Sequence, residues 1–262
     1  PVALNKAIYR SCNSYFSNAY RKFIEKFPTA AEGMNAWSDY AKSFGLGNYL
    51  NNDLSVGKKG LIPDGDFYNK WYPTNRWTAT YTISNAIGQG EVLTTPIQLA
   101  NMTAAIANRG YYFTPHIVKR IAGKELDEQF TKPKNTTIDK KHFEPVIEGL
   151  FNVFEHPNGT ASWSKVDGIE ICGKTGTAEN PHGQDHSIFI AFAPKDNPKI
   201  AIAVFVENGY WGSRWAGPIA SLMIENYLTG KTNYPWVEER MLKGSLEDEY
   251  LKQLTQISTD EE

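Results

Sequence analysis

The chain has 262 residues, 41% of them hydrophobic, 21% charged and 13% aromatic, with 27 Lys and Arg against 29 Asp and Glu. That is globular composition able to bury a sizeable core, and a net charge of -2 offers no basic field for nucleic acid. No apolar run reaches the roughly 18 to 20 residues a spanning helix needs, and two cysteines, Cys12 and Cys172, are too few for a disulfide scaffold and lack zinc-ligand spacing.

The first third reads as helix with one interruption. Ala3, Leu4, Ala7 and Ile8 form a short apolar stripe and Ser11-Cys12-Asn13 breaks it. Phe16, Ala19, Tyr20, Phe23 and Phe27 then resume at spacings of three and four. Trp37, Tyr40, Ala41 and Phe44 repeat the pattern before Gly45 and Gly47 end it. The Ser-Cys-Asn triplet therefore sits at a joint between helices, where its side chains can reach backbone groups or a ligand. Residues 48–90 are punctuated by Gly and Pro and yield no element. Thr95-Pro96 opens a helix that runs through Ala100, Ala104 and Ala107 to Gly110. Residues 121–137 read as a polar surface excursion. Phe143, Val146, Ile147, Leu150, Phe151 and Phe154 give a wide apolar helix face closed by the turn Pro157-Asn158-Gly159.

After that the period changes to two. Ile169-Glu170-Ile171-Cys172 alternates, and two apolar runs, Ser187 to Ala193 and Ile200 to Val206, are joined by a five-residue link suited to an antiparallel hairpin. Both faces of these strands are apolar, so helices cover the sheet on both sides. One cover is a helix from Pro218 to Leu228, with Ile219, Leu222, Met223 and Tyr227 as its expected inner stripe. The tail, 237–262, holds eight acidic residues against three basic ones, among them Asp260, Glu261 and Glu262, and reads as a solvated acidic extension of a domain spanning 1–236.

The chemistry concentrates in Gly173-Lys174-Thr175-Gly176-Thr177-Ala178-Glu179. On a strand Thr175 and Thr177 point the same way, and Gly176 between them lets another backbone or a substrate lie close. Two hydroxyls and an ammonium on a strand edge suit the carboxylate end of an extended peptide. Elsewhere His182, Asp185 and His186 could suggest a metal or acid–base cluster but read as a loop and strand start; His116 reads as plain structure. Tyr210, Trp211 and Trp215 could equally line a groove or pack a core.

Together these residues resemble class B penicillin-binding proteins, most of all the penicillin-binding protein 2 type of cell elongation, over about residues 2–230. The strings that carry the resemblance are Ser11-Cys12-Asn13-Ser14-Tyr15-Phe16, Gly88-Gln89-Gly90-Glu91, Thr94-Thr95-Pro96-Ile97-Gln98, the Lys174-Thr175-Gly176 stretch and Val204-Phe205-Val206-Glu207-Asn208-Gly209. The resemblance implies an α+β, β-lactamase/transpeptidase-like fold, an antiparallel sheet covered by helices on both faces plus a helical subdomain. It implies that Ser11 relays a proton, that Asn13 holds the substrate, and that Lys174, Thr175 and Thr177 bind the carboxylate of a D-alanyl-D-alanine stem peptide. The Thr177 N–H would help form an oxyanion hole. Partners so implied are peptidoglycan stem peptides, β-lactam antibiotics and a membrane glycosyltransferase, at the periplasmic face of the bacterial inner membrane, with neither cofactor nor metal. One departure matters. The family's Ser-x-x-Lys nucleophile pair precedes Ser-x-Asn by tens of residues, and none lies before Ser11; Ser55-Val56-Gly57-Lys58 lies among glycines where a useful pair needs a helix start, and Ser162-Trp163-Ser164-Lys165 stands in the wrong place in the order. The expectation is that the amino-terminal part of the domain, with the nucleophile and two strands, is missing, and that these residues alone are inactive. A β-lactamase, a penicillin sensor or a non-catalytic binding module on the same fold stays open.

Overall fold

The structure, a computed structural model, describes residues 2–74 and 76–252. The amino-terminal stripes fold as α1, Leu4–Tyr9, and α2, Asn13–Ile24, followed by α3, Ala30–Ser43. The Thr29 hydroxyl accepts the Glu32 N–H and so starts α3. Tyr20, Ile24 and Met34 from these helices close a small core with Tyr68, Trp77 and Ala79. This is the helical subdomain.

Its other half comes from the stretch that carries no readable period. Residues 48–90 contain α4, Gly65–Trp71, and a 3₁₀ run over Ala79–Ile87. Both are too short to show an apolar stripe or to stand alone. They form because Asp64 caps the Phe67 N–H and because the Tyr68 hydroxyl is held between Glu91 and Asn85, at 2.6 and 2.7 Å.

α5, Pro96–Ala107, begins as its sequence dictates. The Thr95 hydroxyl accepts the Gln98 N–H, the Gln98 side chain accepts the Thr95 N–H, and Pro96 fills the first helical position. After β1, Tyr111–Tyr112, the polar excursion over 121–137 holds α6, Glu128–Thr131, and β2, Lys134–Asn135, which pairs back antiparallel to β1. α7, Phe143–Glu155, then leads to the sheet.

The sheet is antiparallel, ordered β3, Cys172–Ala178; β4, His186–Ala193; β5, Ile200–Val206. β3 begins three residues later than the alternation over 169–172 suggests and carries the whole Lys-Thr-Gly-Thr motif, with Thr175 opposite Phe189 and Thr177 opposite Ser187. Pairing with the apolar β4 outweighs the poor strand propensity of Gly173 and Gly176. α5 and α8, Ala216–Thr229, both cross β4 and β5 yet scarcely touch each other, so they cover opposite faces; α7 packs on β3. Phe154 of α7 meets Phe189 edge to face at 5.7 Å in the main core.

The expected inner stripe of α8 is corrected. Met223 and Tyr227 are exposed, and Gly217, Ala220, Ser221 and Ile224 face inward. Small residues let the helix lie close to the sheet, where a Cβ on Gly217 would touch the Phe189 ring at 3.4 Å. The tail begins as a helix with no buried residue and is tied to the body at a few points. α9, Pro235–Lys243, and the residues after it return to the body: Glu249 pairs with Arg214 at 2.8 Å and Gly244 lies against the Trp215 ring. Asp260, Glu261 and Glu262 lie outside the described residues.

Candidate active site

The site starts at the joint between α1 and α2. α1 ends in a Schellman turn, with the Ser11 N–H on the Ile8 carbonyl and the Cys12 N–H on the Ala7 carbonyl. The residue at the left-handed position of such a turn is ordinarily glycine; here it is Ser11, with φ 53°. A non-glycine there costs on the order of 1 kcal/mol, and in return the serine hydroxyl projects toward β3. Asn13, first residue of α2, follows on the same side.

From β3, the Lys174 ammonium donates to Ser11 Oγ at 2.8 Å, to the Thr175 carbonyl at 2.8 Å and to Thr175 Oγ1 at 3.4 Å. All three partners are neutral. Among the described residues no carboxylate pairs with Lys174, and burial lowers its pKa to about 8. Thr175 Oγ1 donates to Thr160 Oγ1 at 2.9 Å, and the Thr160 N–H is fixed on the Tyr9 carbonyl at 3.1 Å. The turn after α7 therefore supports the strand. Thr177 is exposed. Ser11, Asn13, Lys174, Thr175, Gly176 and Thr177 all line one open cleft of about 620 Å³.

The close approach expected at Gly176 is made by the chain itself. A Cβ on Gly212 would fall 2.5 Å from the Gly176 oxygen and 2.4 Å from the Ile188 oxygen. Ser187 clamps this loop, donating to the Trp211 carbonyl at 2.9 Å and accepting the Ala216 N–H at 3.1 Å. The aromatic trio divides: Tyr210 and Trp215 are buried, while Trp211 is exposed and lines the cleft. The two other Ser-x-x-Lys strings are elsewhere. Lys58 borders a separate hollow, and Lys165 pairs with Glu155. His186 Nδ1 accepts the Asn208 N–H and so ties the start of β4 to the residues after β5, while Asp185 accepts the Asn180 N–H within the β3–β4 turn.

The sequence and the fold have counterparts among known proteins. A model of the penicillin binding protein transpeptidase domain matches residues 1–225. The chain belongs to that family. Peptidoglycan D,D-transpeptidase MrdA of Haemophilus influenzae is 32% identical over 256 residues, covering 90% of this chain and 37% of that protein. MrdA of Acinetobacter baumannii is 30% identical, with 89% and 36% covered. The crystal structure of Pseudomonas aeruginosa PBP2 in complex with WCK 5153 matches with a TM-score of 0.76 at 32% identity, covering 90% of this chain and 50% of that one. This transpeptidase domain thus has relatives of the penicillin-binding protein 2 type and spans well under half the length of the curated ones it matches.

Thr160 is a cleft residue of the transpeptidase domain that sequence reasoning left unmarked, and Gln89 entered only within the Gly88-Gln89-Gly90-Glu91 string that carries the resemblance, with no role at the site. A direct check on the joint follows. Ser11→Gly is expected to keep or raise stability by up to about 1 kcal/mol, since glycine adopts the left-handed turn freely. The same change removes a partner of Lys174, and urea midpoints should hold or rise.

Proposed function

We propose that this chain forms the carboxylate-recognition side of a peptidoglycan D,D-transpeptidase site acting during elongation. The observation that carries the reading is the Lys174 ammonium, partly buried on neutral partners beside Ser11 at the open edge of β3. Such a charge is poised for an anion. The substrate class is a stem peptide ending in D-alanyl-D-alanine, laid along β3 with its terminal carboxylate toward Lys174 and Thr177, and β-lactams occupy the same cleft. Asn13 holds the peptide's amide groups.

In the reaction a serine hydroxyl attacks the penultimate carbonyl, and the oxyanion is held by backbone donors that include the Thr177 N–H. The C–N bond breaks, and the serine's proton leaves with D-alanine through the relay at Ser11. The amine of a neighbouring stem peptide then displaces the ester and returns a proton to the serine oxygen. Neither Ser-x-x-Lys string reaches the cleft, so this reading assigns the nucleophile to another part of the whole protein. It treats residues 1–236 as the domain proper and 237–262 as its acidic extension. Helicobacter pylori PBP2 has been solved in complex with MreC, and another relative within a peptidoglycan synthase complex that coordinates polymerization and crosslinking. As the motif resemblance implies, the reading takes a membrane glycosyltransferase as the partner and the periplasmic face of the inner membrane as the location; no described helix is long and apolar enough to cross a membrane.

The test is calorimetric titration of the chain with diacetyl-L-lysyl-D-alanyl-D-alanine and with its carboxamide. Binding of the acid at least tenfold tighter than the amide is expected. Equal binding would remove Lys174 from carboxylate recognition and the reading with it.

A further inference from the structure

β3 ends the sheet, with β4 along one edge and, among the described residues, no strand along the other. An extended peptide that adds to the open edge needs the backbone groups turned toward it, which recur at every second residue. Two carbonyls two residues apart, those of Thr175 and Thr177, already receive side-chain donors from the cleft. Lys174 Nζ takes the first at 2.8 Å, and Gln89 Nε2 takes the second at 3.4 Å. The Lys174 contact is short and comes from the adjacent residue. The Gln89 contact is long, therefore weak and readily exchanged, and it crosses from the other wall of the cleft.

The loop that carries Gln89 is built to hold its backbone and free its side chain. Gly88 and Gly90 lie in the left-handed region, at φ 74° and 70°, which glycine alone adopts without cost. The Gly88 N–H bonds to the Asn85 carbonyl and the Gln89 N–H to the Ser84 carbonyl, at 3.1 and 3.0 Å. On the far side Glu91 accepts the buried Tyr68 hydroxyl at 2.6 Å. Gln89 itself is half-buried at the cleft, and its contact with the Thr177 carbonyl is exposed to solvent, so water can take the place of either partner when the carboxamide turns away.

We propose that Gln89 gates the peptide site: its carboxamide occupies the Thr177 carbonyl that an incoming peptide N–H requires, and it departs when the peptide binds. A ligand with an N–H at that point replaces the lost bond, whereas one without it breaks the contact with no return. The gate thus selects peptides over other carboxylates. This inference rests on the transpeptidase reading above.

The experiment titrates diacetyl-L-lysyl-D-alanyl-D-alanine into the ¹⁵N-labelled chain and into Gln89→Ala and Gln89→Asn, the second too short to reach Thr177. Both variants are expected to bind about two- to fivefold more tightly, the range for losing one weak competing hydrogen bond. In the parent, the Gln89 side-chain amide signals should move to solvent-exposed positions at saturation. Unchanged or weaker binding by both variants would overturn the gate. So would peptide-dependent shifts at Lys174 to Thr177 with the Gln89 amide undisturbed, an outcome that leaves the transpeptidase reading standing. No shift at Lys174 to Thr177 in any of the three proteins would overturn both.

Discussion

Lys174→Met is expected to give a domain that is more stable at pH 6 and no longer prefers a peptide acid to its amide. Burial lowers the Lys174 pKa from 10.5 to about 8, and each tenfold change in proton affinity corresponds to about 1.4 kcal/mol. Allowing for partial exposure, holding the charged form in the cleft costs roughly 2 kcal/mol at pH 6. Methionine keeps the stem's packing and drops that cost. The folded state binds fewer protons than the unfolded one between about pH 8 and 10.5. The parent's stability should therefore rise with pH across that window, and the variant's should not. Ligand affinity has the opposite trend. The ammonium is the form that grips a carboxylate, so parent affinity should fall as pH climbs through about 8, while the variant binds on the order of 30-fold more weakly at pH 6.5. Urea unfolding at pH 6 and 10 with titration at pH 6.5, 8 and 9.5 checks both; affinity flat to pH 9.5 would contradict the assigned proton.

Gly212→Ala should damage fold and cleft together. Its Cβ would lie 2.4 to 2.7 Å from the Ile188 oxygen and the Gly176 oxygen and nitrogen. These are backbone atoms of paired strands, so no rotamer change relieves the overlap. The loop must lift from the sheet, stretching the Ser187 hydrogen bonds to Trp211 and Ala216. A cost of about 2–4 kcal/mol follows, with a thermal midpoint several degrees lower and weaker peptide binding, because Trp211, Gly212 and Ser213 form one wall of the cleft. Gly57→Ala is the control. Nothing lies within 4 Å of its Cβ, and its midpoint should stay within about 0.5 kcal/mol of the parent. Equal loss in both proteins would show that general glycine effects, not the approach to β3, are being measured.

Where the chain repeats its apolar residues over several turns or along a strand, the elements were legible: α2, α5, α7, β4 and β5 occupy the stretches their periods mark. Thr95, Pro96 and Gln98 announce a helix start because a capping box is satisfied within four consecutive residues. α4 and the 3₁₀ run gave no such signal, since each persists only through partners distant in the chain, as Tyr68 does through Glu91. The inner face of α8 was misread for a related cause. Apolar size suggested Met223 and Tyr227, but close helix–sheet contact selects Gly217 and Ala220.

The amino-acid order by itself determined the local facts of this transpeptidase domain: the two-residue repeat that puts Thr175 and Thr177 on one side of a strand, the hairpin after Ala193, and the family likeness carried by short strings. Tertiary structure alone decided that the Lys174 ammonium meets Ser11 from 163 residues away, that burial lowers its pKa to about 8, and that Gln89 rests on the Thr177 carbonyl. The reason is physical. Periodicity and capping are properties of neighbours along the chain, whereas desolvation and contacts across a cleft exist only once distant segments have excluded water between them.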